Sequence, residues 1–144
     1  MERQASSIRI RGGLRTFERP WVMGIINVTP DSFFNASRTP DECGMRQRVD
    51  SMVAAGADCL DIGGYSSRPG AADIPEEEEW RRVDLALSYI RTNYPEMITS
   101  VDTFRASVAR KAVEKWGADI INDISGGDLD PEMWPTVAEL GVAY

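Results

Sequence analysis

Four short apolar runs, 22–28, 58–62, 98–102 and 119–124, each carry an asparagine or aspartate at or just beyond the C-terminal end. These residues are Asn27, Asp61, Asp102 and the pair Asn122-Asp123. In a parallel α/β architecture the C-terminal strand ends lie on one face, where ligands bind. One polar residue at a strand end means little, whereas four successive units that bring such groups to one rim describe a site. The connections after the first two runs also have the composition of ligand loops. Thr29-Pro30-Asp31-Ser32-Phe33-Phe34-Asn35 and Tyr65-Ser66-Ser67-Arg68-Pro69-Gly70-Ala71 mix hydroxyls, prolines and aromatic rings. Arg68 is the only cation of its loop, and Ser66, Ser67 and Gly70 around it add hydroxyl and amide donors suited to a phosphate oxygen. Taken alone, a solvated surface arginine is the commoner explanation of that residue.

The elements that must carry these groups alternate between strand and helix. Each run is followed by a polar loop and an amphipathic segment, the pattern of βα units and a parallel sheet. Near-continuous apolar character predicts strands covered on both faces. A first helix is predicted to open at Thr39-Pro40-Asp41-Glu42, with a cap, a proline at the first helical position and a capping-box glutamate, and to end at Gly56. Met45, Val49, Met52 and Val53 form its apolar face. A second opens near Pro75-Glu76-Glu77, buries Trp80, Val83, Leu87 and Ile90, and stops before Pro95. A third covers about 105–116, buries Val108, Ala112, Val113 and Trp116, and ends at Gly117. A fourth starts after Asp130-Pro131 with a first turn made irregular by Pro135, and Gly141-Val142-Ala143-Tyr144 opens a fifth strand.

Segments 7–11 and 14–17 alternate in polarity around Gly12-Gly13 and fit a hairpin able to plug one end of a barrel. An internal echo links Gly56-Ala57-Asp58 to Gly117-Ala118-Asp119, each leading into a strand followed by a glycine pair, Gly63-Gly64 or Gly126-Gly127. It reads either as the ordinary preference of αβ turns for glycine or as a repeated barrel unit.

With 42% hydrophobic and 27% charged residues among 144, the chain has the composition of a globular domain with one core. A formal net charge of −7 opposes binding to nucleic acid or an anionic membrane, so any anionic ligand must be held by local cations and amides. No apolar run approaches the roughly 20 residues of a membrane span, and no secretory stretch follows Met1, so a cytoplasmic protein is expected. Cys43 and Cys59 lack a CxxC spacing, and no histidine is present to complete a zinc site, so both are expected as reduced thiols.

Four segments have a distinctive wording. Met23-Gly24-Ile25-Ile26-Asn27-Val28-Thr29-Pro30-Asp31-Ser32-Phe33, Asp61-Ile62-Gly63-Gly64-Tyr65-Ser66-Ser67-Arg68-Pro69-Gly70-Ala71, Ser100-Val101-Asp102-Thr103 and Ile121-Asn122-Asp123-Ile124 together resemble the dihydropteroate synthases, in order and on the matching strands. The resemblance implies a (β/α)8 TIM barrel that condenses 6-hydroxymethyl-7,8-dihydropterin diphosphate with 4-aminobenzoate, releasing diphosphate and 7,8-dihydropteroate. It implies that Asp102 accepts two parallel hydrogen bonds from the ring-nitrogen edge of the pterin and that Asn122 reads another part of that edge. Ser67 and Arg68 would contact the phosphates and, with Phe33 and Pro69, shape the 4-aminobenzoate pocket, while Ile124 joins the substrate-binding set. Asp31 would act from the first loop, and Arg68 and Asp31 are the implied catalytic residues. Asn27 would ligate Mg²⁺, a hard cation that keeps most of its waters. Bond cleavage precedes attack by the neutral amine, so stabilising the departing diphosphate outweighs any general base. Tyr65 and Asn35 depart from the family, many members of which carry glutamate and aspartate there.

A closed barrel takes about 250 residues and eight βα units. Residues 1–144 are therefore expected to be the N-terminal half of one such domain: hairpin, four βα units and the start of strand five. Alone it is expected to be inactive and prone to associate, through open sheet edges and through Ile25, Leu60 and Ile121 turned toward the absent strands. Complete family members often form homodimers. Three other readings stay open: a pterin-binding methyltransferase domain, a non-catalytic half-barrel that binds pterin, and a compact doubly wound sheet.

Overall fold

The computed structural model describes residues 6–29, 40–66 and 69–144. An antiparallel hairpin, β1 (Ser7–Ile10) and β2 (Gly13–Thr16), precedes a parallel sheet of β3 (Met23–Asn27), β4 (Cys59–Gly63), β5 (Ile98–Asp102) and β6 (Ile120–Asn122). Helices α1 (Pro40–Ala54), α2 (Glu76–Asn93), α3 (Ala106–Trp116) and α4 (Met133–Leu140) alternate with the sheet strands. The sheet order β3-β4-β5-β6 follows the chain without reversal. Right-handed crossovers in an unreversed sheet put every helix on the same face. A doubly wound sheet instead reverses its order and covers both faces, so that alternative is set aside among the described residues.

Alternation along each strand separates two faces. Ile26, Leu60, Ile62, Val101 and Ile121 are buried and share a core with Met45 and Val49 of α1, Val83, Leu87 and Ile90 of α2, and Val108, Ala109 and Ala112 of α3. Each large aliphatic side chain so buried contributes about 1.5–3 kcal/mol. Two expectations are corrected here. Cover on both faces holds for β4, buried at all five positions, and for the middle of β5, but not for β3, which alternates between buried and exposed residues. Leu60 and Ile121, at 0% and 1% exposure, pack against helices, whereas Ile25, at 57%, does face the open side. A one-residue step along a strand reverses the direction of the side chain.

Local chemistry fixes the boundaries. The start of α2 places Glu76, Glu77, Glu78 and Glu79 in its first turn, where the amide ends of the helix favour negative charge. Gly117 closes α3 at φ 63°, and its N–H reaches Ala112 O and Val113 O; a left-handed φ suits a residue without Cβ. The N-terminal amide of α3 is capped from afar, Ala106 N–H donating to Asp130 Oδ2 at 2.8 Å. Pro135 is the third residue of α4, within the first turn, where amides lack helical partners and a missing N–H costs little. The expected irregularity of that turn is absent. The Thr39 cap lies outside the described residues. The two halves of the internal echo share a left-handed glycine, Gly56 and Gly117, but part at their exits: Gly63 belongs to β4, whereas Gly126 and Gly127 turn at positive φ. Ile120 forms a parallel bridge to Ala143, and Ile121 N donates to Ala143 O at 2.8 Å, so pairing with a fifth strand has begun.

The hairpin docks at the N-terminal ends of β5 and β6, the end of the sheet opposite Asp102 and Asn122. Arg11 Nε donates to Asp119 Oδ1 at 2.9 Å, and its Nη2 donates to Met97 O at 3.2 Å. Asp119 also accepts from Thr99 N–H (2.9 Å) and Arg91 Nη2 (3.3 Å), so the buried carboxylate is fully engaged. No described helix is long and apolar enough to cross a membrane.

Candidate functional site

Register lines up the inward-facing residues in rows. At the C-terminal ends, Asn27 pairs with Gly63, Gly63 with Asp102, and Asp102 with Asn122. One step deeper, Ile25 pairs with Asp61, Asp61 with Ser100, and Ser100 with Ile120. The deepest row is Met23, Cys59 and Ile98. Gly63 keeps the rim open: a Cβ there would lie 3.5 Å from Asn27 Oδ1 and 3.6 Å from Asp102 Oδ2. Three polar side chains therefore flank a gap floored by backbone.

Asp61 belongs to the second row rather than the rim, because β4 runs on to Gly63. Its side chain is 6% exposed. The curvature of the sheet brings it to Asn122 across the intervening strand, Asn122 Nδ2 donating to Asp61 Oδ2 at 3.0 Å. Asp61 Oδ1 and the neighbouring Ser100 Oγ are buried without a hydrogen-bond partner. Asp102 feels this surrounding: burial first, then the negative charges of Asp61, Glu79 and Asp123, push its carboxyl up to about 6. Such a group is poised to gain from a ligand that donates hydrogen bonds to the carboxylate.

Asp123 has a different task. Burial alone would raise its carboxyl, but hydrogen bonds from Ser125, Tyr144 and Gly127 lower it on balance. It accepts Ser125 N–H and Oγ–H at 2.8 Å each, Gly127 N–H at 2.9 Å and the Tyr144 hydroxyl at 3.0 Å, so it shapes its own loop. Ile124 stands 74% exposed beyond β6, and Pro69 is exposed in the turn after β4. Asp31, Phe33, Ser67, Arg68 and Asn35 lie outside the described residues.

Sequence reasoning missed the brace behind the rim. Glu79, fully buried on α2, accepts from Thr103 Oγ1 at 2.6 Å and Arg105 Nη1 at 2.5 Å. Arg105 Nη2 donates to Ile74 O at 2.8 Å, and its guanidinium lies 5.4 Å from the Tyr65 ring centre and 5.0 Å from that of Phe104. Tyr65 in turn donates to Asp73 Oδ1 at 3.1 Å. This cluster ties both flanks of the loop containing Ser67 and Arg68 to the start of α3. The acidic run at 76–79 gave only a dipole signal, and nothing marked its last member as buried.

Among the described residues no cluster of three or more His, Cys, Asp or Glu could hold a metal. A Mg²⁺ that keeps its waters and binds phosphate needs no such cage. The exposed Asn27 amide oxygen at the rim, beside the Gly63 gap, fits that single-donor role. Cys59 is buried and Cys43 exposed, both free; burial pushes the Cys59 thiol up to about 12, which leaves it inert.

The sequence pattern of the family described as pterin binding enzyme matches residues 23–144. A folic acid synthesis protein of Pneumocystis carinii is 46% identical over 129 residues, 89% of this chain and 17% of its own length. A dihydropteroate synthase of Clostridium beijerinckii is 40% identical over 125 residues, 87% of this chain and 46% of its own length. In structure, the dihydropteroate synthase of Xanthomonas albilineans with 4-aminobenzoic acid superposes at a TM-score of 0.85 with 37% identity, covering 96% of this chain and 50% of that one. The same enzyme in complex with 7,8-dihydropteroate gives 0.79 and 34% identity, covering 95% and 48%. This chain thus spans half or less of the length of these relatives, and its unreversed parallel sheet with alternating helices is that of a partial α/β barrel.

Proposed function

Because this chain belongs to the pterin binding enzyme family, we propose that it forms the first half of a dihydropteroate synthase. In a complete barrel, formed with the second half that its relatives carry, it would join 6-hydroxymethyl-7,8-dihydropterin diphosphate to 4-aminobenzoate. The observation that carries the reading is the rim row Asn27, Gly63, Asp102 and Asn122, held in register on the open face. A carboxylate and an amide side by side form a planar set of acceptors and donors, the complement of an aminopyrimidinone edge.

In this proposal Asp102, ionised, accepts two hydrogen bonds from the pterin, and Asn122 orients the ring beside it. Asn27 offers its amide oxygen to Mg²⁺, which when bound neutralises the diphosphate charge. Ser67 and Arg68 hold the phosphates; Asp31, Phe33, Pro69 and Ile124 line the approach of 4-aminobenzoate. The brace of Glu79, Arg105 and Tyr65 supports this placement of Ser67 and Arg68 by fixing the ends of their loop. Loss of diphosphate exposes an electrophilic methylene that the neutral aniline nitrogen attacks, so fixed charge rather than a strong base lowers the barrier. Homodimerisation of the complete protein rests on the family resemblance alone.

The test is diphosphate release by the complete barrel, with each substrate omitted in turn. Release that requires both substrates, together with none from residues 1–144 alone, is the expected result. Failure of the complete barrel to bind pterin would refute the reading.

A further inference from the structure

The second row holds two groups that the proposed reaction does not use. Asp61 Oδ1 and Ser100 Oγ sit on adjacent, register-paired positions, buried and without partners. A buried polar atom without a hydrogen bond is costly, and a carboxylate oxygen especially so. The fold has no evident use for the pair: Leu60 and Ile62, the flanking residues of β4, are the ones in the core. The other carboxylate oxygen is committed to Asn122 Nδ2 at 3.0 Å.

An asparagine amide can face either way round, and its two ends look alike in shape. Against a carboxylate only one orientation works, because turning the amide over would set oxygen against oxygen. Asp61 therefore dictates that Asn122 keeps one amide hydrogen behind it and leaves its carbonyl oxygen free as an acceptor.

We propose that Asp61 is a positioning and specificity-determining residue: it orients the Asn122 amide for a hydrogen-bond-donating ligand edge, and its second oxygen, beside Ser100, receives a further donor of that edge. The inference rests on the pterin reading above and goes beyond it. With Asp102, Asn122 and Asp61 all presenting acceptors, the pocket favours a heterocycle rich in N–H groups. It rejects one that turns a carbonyl oxygen toward β4. Replacing the exocyclic amine of the pterin by oxygen creates that mismatch.

The experiment titrates the complete barrel with 6-hydroxymethylpterin and with its analogue bearing oxygen in place of the 2-amino group. The unaltered protein should prefer the pterin. Asp61→Ala should weaken pterin binding roughly 5- to 150-fold, the range for a lost buried polar partner, and narrow the preference, with the KM for 4-aminobenzoate unchanged. Asp61→Ala combined with Asn122→Ala should bind worse than either alone, because Asp61 also meets the ligand itself, but by less than the product of the two single effects, since part of the Asp61 effect acts through Asn122. The isosteric Asp61→Asn, which can hold Asn122 either way round, should fall between wild type and Asp61→Ala, and it serves the test even where the alanine variant does not fold. Variants that bind and discriminate as the unaltered barrel does, or single effects that multiply in the double variant, would overturn the inference and leave the pterin reading intact. No pterin binding by the unaltered barrel would overturn both.

Discussion

Replacing Asp102 by asparagine should make the complete barrel more stable and less able to bind pterin. Asp102 is half-buried and faces the negative charges of Asp61, Glu79 and Asp123, which with burial lift its carboxyl from 3.8 to about 6. Between those values the folded chain holds a proton that the unfolded chain has lost, so stability falls as pH rises through the window and the penalty is complete above it. A displacement of that size corresponds to roughly 3 kcal/mol in full burial, which solvent screening of a half-exposed group reduces to about 1 kcal/mol. Asp102→Asn removes the penalty, and a gain of about 1 kcal/mol at pH 8 raises the melting temperature of a 250-residue barrel by roughly 2–4 °C. Binding moves the other way. The amide presents a donor where the pterin edge also donates, at a cost of about 1–3 kcal/mol, or roughly 5- to 150-fold in affinity.

The same geometry sets a pH dependence. On the proposed reading pterin binds the ionised carboxylate, so affinity in the unaltered barrel should be level above about 6. Below that it should fall by about tenfold per pH unit, with the slope absent from Asp102→Asn. Calorimetric titration from pH 5 to 8, with melts at each pH, reads both effects. Pterin affinity that is independent of pH and unchanged by the substitution would remove Asp102 from the pocket; a lower melting temperature for Asp102→Asn at pH 8 would refute the electrostatic reasoning.

Gly64→Ala should cost about 1–3 kcal/mol in thermal melts, because the added Cβ would lie 2.7 Å from the Glu79 carbonyl oxygen, which is backbone and cannot swing aside. Leu60→Ala should cost about 2–5 kcal/mol by denaturant unfolding, as its side chain is wholly enclosed between sheet and helices. A loss under about 0.5 kcal/mol would put Leu60 back on the open face. Arg68→Lys should lower turnover more than it lowers the melting temperature, since a point charge does not reproduce a two-pronged phosphate contact; normal turnover with a lost melt would assign Arg68 a structural role instead.

The strands were readable because apolar runs between glycine-bearing turns leave few alternatives, and the observed β5 has the expected bounds. The helices were readable from their ends and apolar stripes, as Val83, Leu87 and Ile90 show. What the sequence hid was depth. Gly63-Gly64 looked like the end of a strand, which set Asp61 at the rim, yet Gly63 continues the ladder and lowers Asp61 by one row. Ser100 gave no signal, because a lone hydroxyl inside an apolar run looks like a tolerated substitution until both its neighbours are known. Leu60 and Ile121 were assigned to the wrong face for a related reason: in a run that is apolar at nearly every position, alternation is invisible until the register is fixed. Arg105 and Glu79 lie 26 residues apart and meet only because consecutive βα units pack side by side.

The alternation along β4 has a consequence for how such a chain can change. Leu60 and Ile62 pack the sheet against its helices, while Asp61 and Gly63, one step away on the same strand, belong to the face where the proposed ligand would sit. Heritable variation can therefore retune ligand preference at every second residue without repacking the interior. A mutational scan along this strand would sort into two interleaved phenotypes, one read out as lost protein and the other as intact protein with altered appetite. Resistance to a competing ligand would be sought in the second set, where its cost in folding is least.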